Sequence, residues 1–137
     1  MSKKVVLVGH CGADSSYLRM AVKAARPDVQ IESVEGDKEL KAAIMNGADL
    51  VLFNRLVDYG FDTDQGVDLI RAYQRAFPTM KSMLVSNYDS AQGEAVQAGA
   101  LPGFGKREIG TPRVKQLLQQ VLTDASNEAE TPGRVRT

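Results

Sequence analysis

The sequence predicts a single doubly wound α/β domain, a five-stranded parallel sheet with helices on both faces. Three observations predict it. Short apolar runs alternate strictly with helical patterns, five of each, as right-handed crossovers between parallel strands require. Two runs, Val5-Val6-Leu7-Val8 and Leu50-Val51-Leu52-Phe53, are continuously apolar, the pattern of strands buried on both faces. A chain of 137 residues, 43% hydrophobic and 25% charged, has room for one sizeable core and little else.

The elements follow in order. After the first strand, Asp14, Ser15 or Ser16 can cap a helix with Leu18, Ala21, Val22 and Ala25 at helical spacing, ended by Pro27. Residues 29–34 read as a more polar strand, nearer an edge. Asp37 can cap a second helix carrying Leu40, Ala43 and Ile44, and Gly47 suits its C-terminal stop. The third strand, residues 50–53, is followed by a long polar loop over residues 55–65. Val67, Ile70, Tyr73 and Phe77 then mark a helix closed by Pro78. Residues 82–85 form a fourth strand, and Asp89 or Ser90 starts a helix that Gly99 ends. Residues 101–104 make a short strand whose Pro102 places it at an edge. Thr111 as N-cap with Pro112 at the first helical position opens the last helix. The domain is read as residues 1–123, and the Ser-, Glu-, Pro- and Gly-rich residues 124–137 as a disordered tail.

Charge and cysteine content exclude several classes. The 17 basic and 17 acidic residues cancel, so no basic stripe invites nucleic acid. Apolar runs of four or five residues are far short of a membrane span. Met1-Ser2-Lys3-Lys4 leads into a strand with no cleavage site, so no signal peptide is expected. A single cysteine, Cys11, excludes an internal disulfide and suits a reducing compartment. The expectation is a cytoplasmic protein.

In doubly wound sheets ligands sit beyond the carboxyl ends of the strands. The residues there are Gly9, His10, Cys11, Gly12, Ala13 and Asp14 after the first strand, and Asn54 and Arg55 after the third. Ser86, Asn87 and Tyr88 follow the fourth strand, and Lys106 the fifth.

Read in order, these positions resemble the receiver (response-regulator, CheY-like) family. That family carries a phosphoacceptor Asp after its third strand, Thr or Ser after its fourth and Lys after its fifth. Here Ala48-Asp49-Leu50-Val51-Leu52-Phe53-Asn54 is similar to the acceptor strand, with Asn54 in the acceptor's place. Leu84-Val85-Ser86-Asn87-Tyr88-Asp89 is similar to the next, and Ala98-Gly99-Ala100 with Gly105-Lys106 to the last. The resemblance spans residues 3–123 and implies a flavodoxin-like fold with strand order 2-1-3-4-5.

The departures set the functional expectation. The family holds Mg²⁺ with two adjacent acids after its first strand, where this chain reads Gly9-His10-Cys11-Gly12-Ala13. Asp14 is the nearest carboxylate, expected as a helix cap. A lone carboxylate with a neutral amide is a poor donor set for a hard cation. The loop after Asn54 is longer than usual, Arg107 stands where Pro is common, and Gly103 beside Phe104 where a switching aromatic is common. Phosphoryl transfer to a carboxylate needs that nucleophile and a metal. Both are missing, so the sequence reads as a pseudo-receiver. A contact of Lys106 with the Asn54 side-chain oxygen, with Ser86 bonding to either, is weighed against a Lys106 that points into solvent.

Other constellations are weaker. His10-Cys11 resembles the start of a cysteine phosphatase loop, but Tyr17 stands where that loop needs Arg. Cys11-Gly12 with Ser15-Ser16 resembles the phosphocysteine loop of sugar phosphotransferase IIB proteins. An unreactive, partly buried Cys11 is the simpler reading. His10, Cys11 and Asp14 lack a fourth metal ligand. Asp58, Asp62, Asp64 and Asp68 are read as solvated acids, and the loop among them as a possible docking feature. The expectation is therefore a stand-alone regulatory module without catalysis, cofactor or metal. It would bind a signalling partner through residues 89–99, 101–104 and 112–122, the family's output surface. The alternatives are a flavodoxin-like enzyme or carrier using Cys11, and a small-ligand sensor using the degenerate pocket of Asn54, Ser86, Lys106, His10, Cys11 and Asp14.

Overall fold

The structure is a computed structural model that describes residues 2–57 and 60–123. Its elements run β1 (Lys4–Val8), α1 (Gly12–Ala25), β2 (Gln30–Val34), α2 (Asp37–Met45) and β3 (Leu50–Asn54). They continue with α3 (Gly66–Ala76), β4 (Ser82–Val85), α4 (Asp89–Gln97), β5 (Leu101–Phe104) and α5 (Pro112–Val121). All pairings are parallel, in the order β2-β1-β3-β4-β5. This is the doubly wound parallel sheet that the alternation of elements predicts, in the strand order that the resemblance implies.

Alternate side chains of the central strands feed two cores. Val6, Val8, Val51 and Phe53 pack with residues of α2, α3 and α4 on one face. Val5, Leu7, Leu50 and Leu52 pack with Leu18 and Val22 of α1 and with Val114 and Leu118 of α5 on the other. Such side chains, fully buried in β1 and β3, contribute roughly 2 kcal/mol each. The continuous apolar runs thus reflect burial from both sides.

Two helix starts differ from the sequence reading. The cap of α1 is neither Asp14 nor a serine but Cys11, whose Sγ accepts the Asp14 N–H at 3.4 Å. Gly9 turns the chain early enough for the helix to begin at Gly12. Asp37 is the first helical residue of α2, and Gly36 is its cap. Thr111 does cap α5, with Oγ1 accepting the Val114 N–H.

The β4–β5 pairing is irregular. Met83 faces Leu101 but Val85 faces Phe104, so β5 carries one extra residue around Pro102 and Gly103. Gln92 of α4 reaches into this bulge. Its Nε2 lies 2.8 Å from Leu84 O, 3.1 Å from Ser86 O and 3.2 Å from Phe104 O. Sequence pattern carries no sign of this clamp, because a glutamine in a helix has no local reason to face a sheet.

The loop after β3 is folded onto the sheet's edge. Leu56 bridges Gln65 in antiparallel fashion, and Val57 N–H donates to Asp64 O at 2.9 Å. Gly60, at φ +118°, presses its backbone against Glu35 O where no Cβ fits. Asp58, which the acidic-loop reading includes, and the expected tail of residues 124–137 lie outside the described residues.

Candidate functional site at the carboxyl ends of the strands

The β3 tip delivers Asn54 to the rim. Its Nδ2 donates to Gly9 O at 3.1 Å and to Leu56 O at 2.8 Å. The amide therefore joins the end of β1 to the loop after β3. Its Oδ1 is buried without a partner among the described residues. Val57 covers the same place from above. Gly9 sits at φ +77°, and a Cβ there would stand 2.6 Å from Val57 Cγ1. Only glycine allows the β1 tip and the loop to close this tightly.

His10 turns inward beneath that closure. Its Nε2 lies 2.8 Å from Leu52 O, so Nε2 carries the proton and donates. Nδ1 is buried without a partner among the described residues. Burial pushes the imidazole below its ordinary pKa; the Leu52 hydrogen bond opposes this, the Lys106 charge adds to it, and Asp14 offsets part of it.

Lys106 does not contact the Asn54 oxygen, nor does it point into solvent. Its Nζ pairs with Asp14 Oδ2 at 2.9 Å. The expected role of Asp14 as a cap is corrected accordingly: it is the cation's partner, and the hydrogen bond from Lys106 holds its carboxyl below the usual range. Ser86 bonds neither Asn54 nor Lys106; its Oγ accepts the Tyr88 N–H at 3.2 Å.

Even so, Asn54, Ser86 and Lys106 border one cleft of about 270 Å³, together with Arg55, Asn87 and Tyr88. The Arg55 guanidinium lies 4.5 Å from the centre of the Tyr88 ring. Asn87 Oδ1 accepts the Arg107 N–H at 3.1 Å and fixes the turn that carries Lys106. The sequence places Arg55, Asn87 and Tyr88 at strand tips but carries no signal that they enclose a cleft. His10 lies on the β2 side instead, where it helps to line a separate cavity of about 190 Å³. Cys11 is exposed with its sulfur used as a cap.

The donor set does not fit Mg²⁺. Gly9 and His10 stand after β1, and the Gly9 and Leu56 carbonyls already accept the N–H groups of Asn54. Among the described residues no three His, Cys, Asp or Glu side chains gather as metal ligands. Of the loop acids, Asp68 pairs with Arg71 at 3.0 Å and Asp64 accepts from Gln65 at 3.2 Å.

No protein-family model matches the sequence, and no curated protein matches it. Solved structures do. The fold is similar to the signal receiver domain of a DNA-binding response regulator from Colwellia psychrerythraea 34H, at TM-score 0.67 and 14% identity, covering 88% of this chain and 98% of that one. It is similar to a CheY-like receiver domain protein from Methanospirillum hungatei JF-1, at TM-score 0.64 and 19% identity, covering 88% and 97%. A putative response regulator from Chloroflexus aurantiacus J-10-fl matches at TM-score 0.70 and 14% identity, covering 89% and 98%. The fold is that of response-regulator receiver domains. Among the described residues no helix is long and apolar enough to cross a membrane.

Proposed function

We propose that this chain is a pseudo-receiver: a signal-transduction module that works by binding another protein and takes no phosphoryl group on its rim. One observation carries the reading. The residue in the acceptor's place is a hydrogen-bond donor, since the Asn54 amide gives both its N–H groups to Gly9 O and Leu56 O. A carboxylate has no protons to give there. The rim is organised around a neutral amide, and an uncharged amide is no nucleophile for phosphoryl transfer.

Lys106 supports the same reading. Its ammonium is held by Asp14, so its position does not report the charge of the acceptor's place. With neither nucleophile nor metal ligands, the module has no catalytic residue, and its output is contact. The family resemblance points to α4, β5 and α5 as the contact surface. There Val96 is exposed on α4, and Gln92 fixes that helix to the β4–β5 pair.

Incubation with acetyl phosphate and Mg²⁺ followed by intact mass measurement tests the reading. The expected result is an unchanged mass. A phosphoryl adduct on Asp14 or on a carboxylate of the loop would overturn it.

A further inference from the structure

We infer that the cavity at the β1 and β2 tips, roofed by the loop after β3, is a reversible binding site for a small organic amine in its ammonium form. The inference goes beyond the pseudo-receiver reading and does not rest on it, since the cleft of Asn54, Ser86 and Lys106 lies at other strand tips. Four segments build the cavity. His10 follows β1, Ser15 comes from the first turn of α1, Ser33 and Glu35 lie at the end of β2, and Phe61 belongs to the loop. The roof is pinned: Gly60 O accepts the Asp37 N–H at 3.1 Å, and Phe61 is partly buried against the core on the α2 side. The volume is about 190 Å³, somewhat above the ~150 Å³ that houses one benzene ring. One ring or a short chain fits.

Charge points to a cation. Among the lining residues Glu35 carries the only formal charge, and among the described residues no cation pairs with its carboxylate. Glu39 stands beside it, with Oε1 accepting the Glu35 N–H at 2.9 Å. The opposing cation is Arg19, whose Nη2 donates to Ser33 Oγ at 2.9 Å from the α1 side. Of the charged groups in or bonded to the lining, two carboxylates less one guanidinium leave one net negative charge. Arg19 is engaged by a neutral hydroxyl, so the Glu35 carboxylate is left for a ligand. A charge-assisted hydrogen bond to an ammonium is the contact it makes best.

The second observation is His10. Its Nε2 proton is used on Leu52 O at 2.8 Å, so Nδ1, buried without a partner among the described residues, is an acceptor with nothing to accept. A buried acceptor without a donor is costly. A slight turn of the ring toward the cavity brings Nδ1 to a ligand N–H. Burial keeps the imidazole neutral by lowering its pKa, so His10 does not repel a cation. An ammonium has three donors, which Glu35, His10 and the Ser15 hydroxyl oxygen can share. Leu7 and Val34 are apolar walls for the carbon part, and the Phe61 ring suits both that part and the charge. No covalent step is involved.

A ¹H–¹⁵N titration of the full chain with benzylamine hydrochloride near neutral pH, against sodium benzoate and sodium chloride at equal ionic strength, tests the inference. Benzoate has nearly the same shape and the opposite charge. Saturable shifts are expected at the amides of His10, Ser15, Ser33, Glu35 and Phe61 with the amine, and not with either sodium salt. Glu35→Gln should weaken the apparent affinity about tenfold, the effect of losing one charge-assisted hydrogen bond. Shifts that never saturate, that benzoate or chloride reproduces, or that Glu35→Gln leaves unchanged in a folded variant overturn it. The wild-type titrations decide the matter even where the variant fails to fold. A phosphoryl adduct in the acetyl phosphate experiment overturns the pseudo-receiver, whereas absent amine binding overturns only this site.

Discussion

At the β1–β3 side of the rim the backbone is closed over itself; at the β3–β4 side, charged and hydroxyl groups border an open cleft. On the closed side the Asn54 amide ties Gly9 O to Leu56 O, Val57 packs on Gly9, and His10 is turned toward Leu52 O. On the open side Arg55 and Lys106 keep their positive charge beside Ser86. The same fold edge therefore carries two finishes. Where a neutral amide can donate to two carbonyls, the chain has sealed the site. Where the groups are cations, Lys106 is offset by the partly exposed Asp14 and Arg55 by no carboxylate among the described residues, and both stay at the surface.

The comparison breaks first at Gly9. Alanine there meets both the positive φ and the Val57 side chain, and should lower urea stability by about 3 kcal/mol. A loss below about 1 kcal/mol would mean that the closed side is slack. Next comes the clamp behind the open side. Gln92→Leu leaves Leu84 O and Ser86 O without the donor they now share, and should cost about 2 kcal/mol. Amide exchange in β5 and α4 should rise with it; unchanged protection there would contradict the clamp.

A smaller effect separates the two sides by pH. The His10 pKa is lowered in the folded protein, so the unfolded chain takes up its proton first as pH falls through about 6.5. The unfolded state then binds more protons than the folded one. Stability should decline below that pH and be flat with respect to His10 above it. His10→Gln keeps a donor for Leu52 O and removes the titration, so its stability curve should be shallower between pH 6.5 and 5. Equal slopes would show that His10 is not held neutral.

The smallest effect belongs to the open side. Lys106 and Asp14 form a partly exposed pair, with side chains 37% and 24% exposed. Such pairs contribute about 0.5 kcal/mol. Lys106→Met should therefore change thermal stability very little. A loss of several kcal/mol would make the pair part of the fold rather than of the surface.

How much of this the sequence reveals depends on the range of the interaction. The strands and the meeting of Asn54, Ser86 and Lys106 at one cleft follow from burial patterns and from the topology of parallel sheets, which are properties of whole elements, while the strand order comes from the family resemblance. The Thr111-Pro112 start of α5 follows from local chemistry. The Cys11 cap does not, because a thiol is a poor cap and three better capping residues stand just after it. Nor does the partner of Lys106: a long flexible side chain settles on whichever carboxylate the tertiary fold brings near, and Asp14 looks like a cap in one dimension. Gln92 and the Arg55–Tyr88 stack are invisible for the same reason. Each depends on a distance between elements that periodicity does not encode.

Asn54→Asp puts the account to its most direct test, because it places an acid there and removes the two donors. The account predicts a urea stability at pH 7 about 2 kcal/mol below wild type, since two carbonyls lose their N–H partners to a carboxylate that repels them. It also predicts no phosphoryl adduct from acetyl phosphate and Mg²⁺. A variant as stable as wild type that gains a phosphoryl group at position 54 would show that the rim does not depend on its amide.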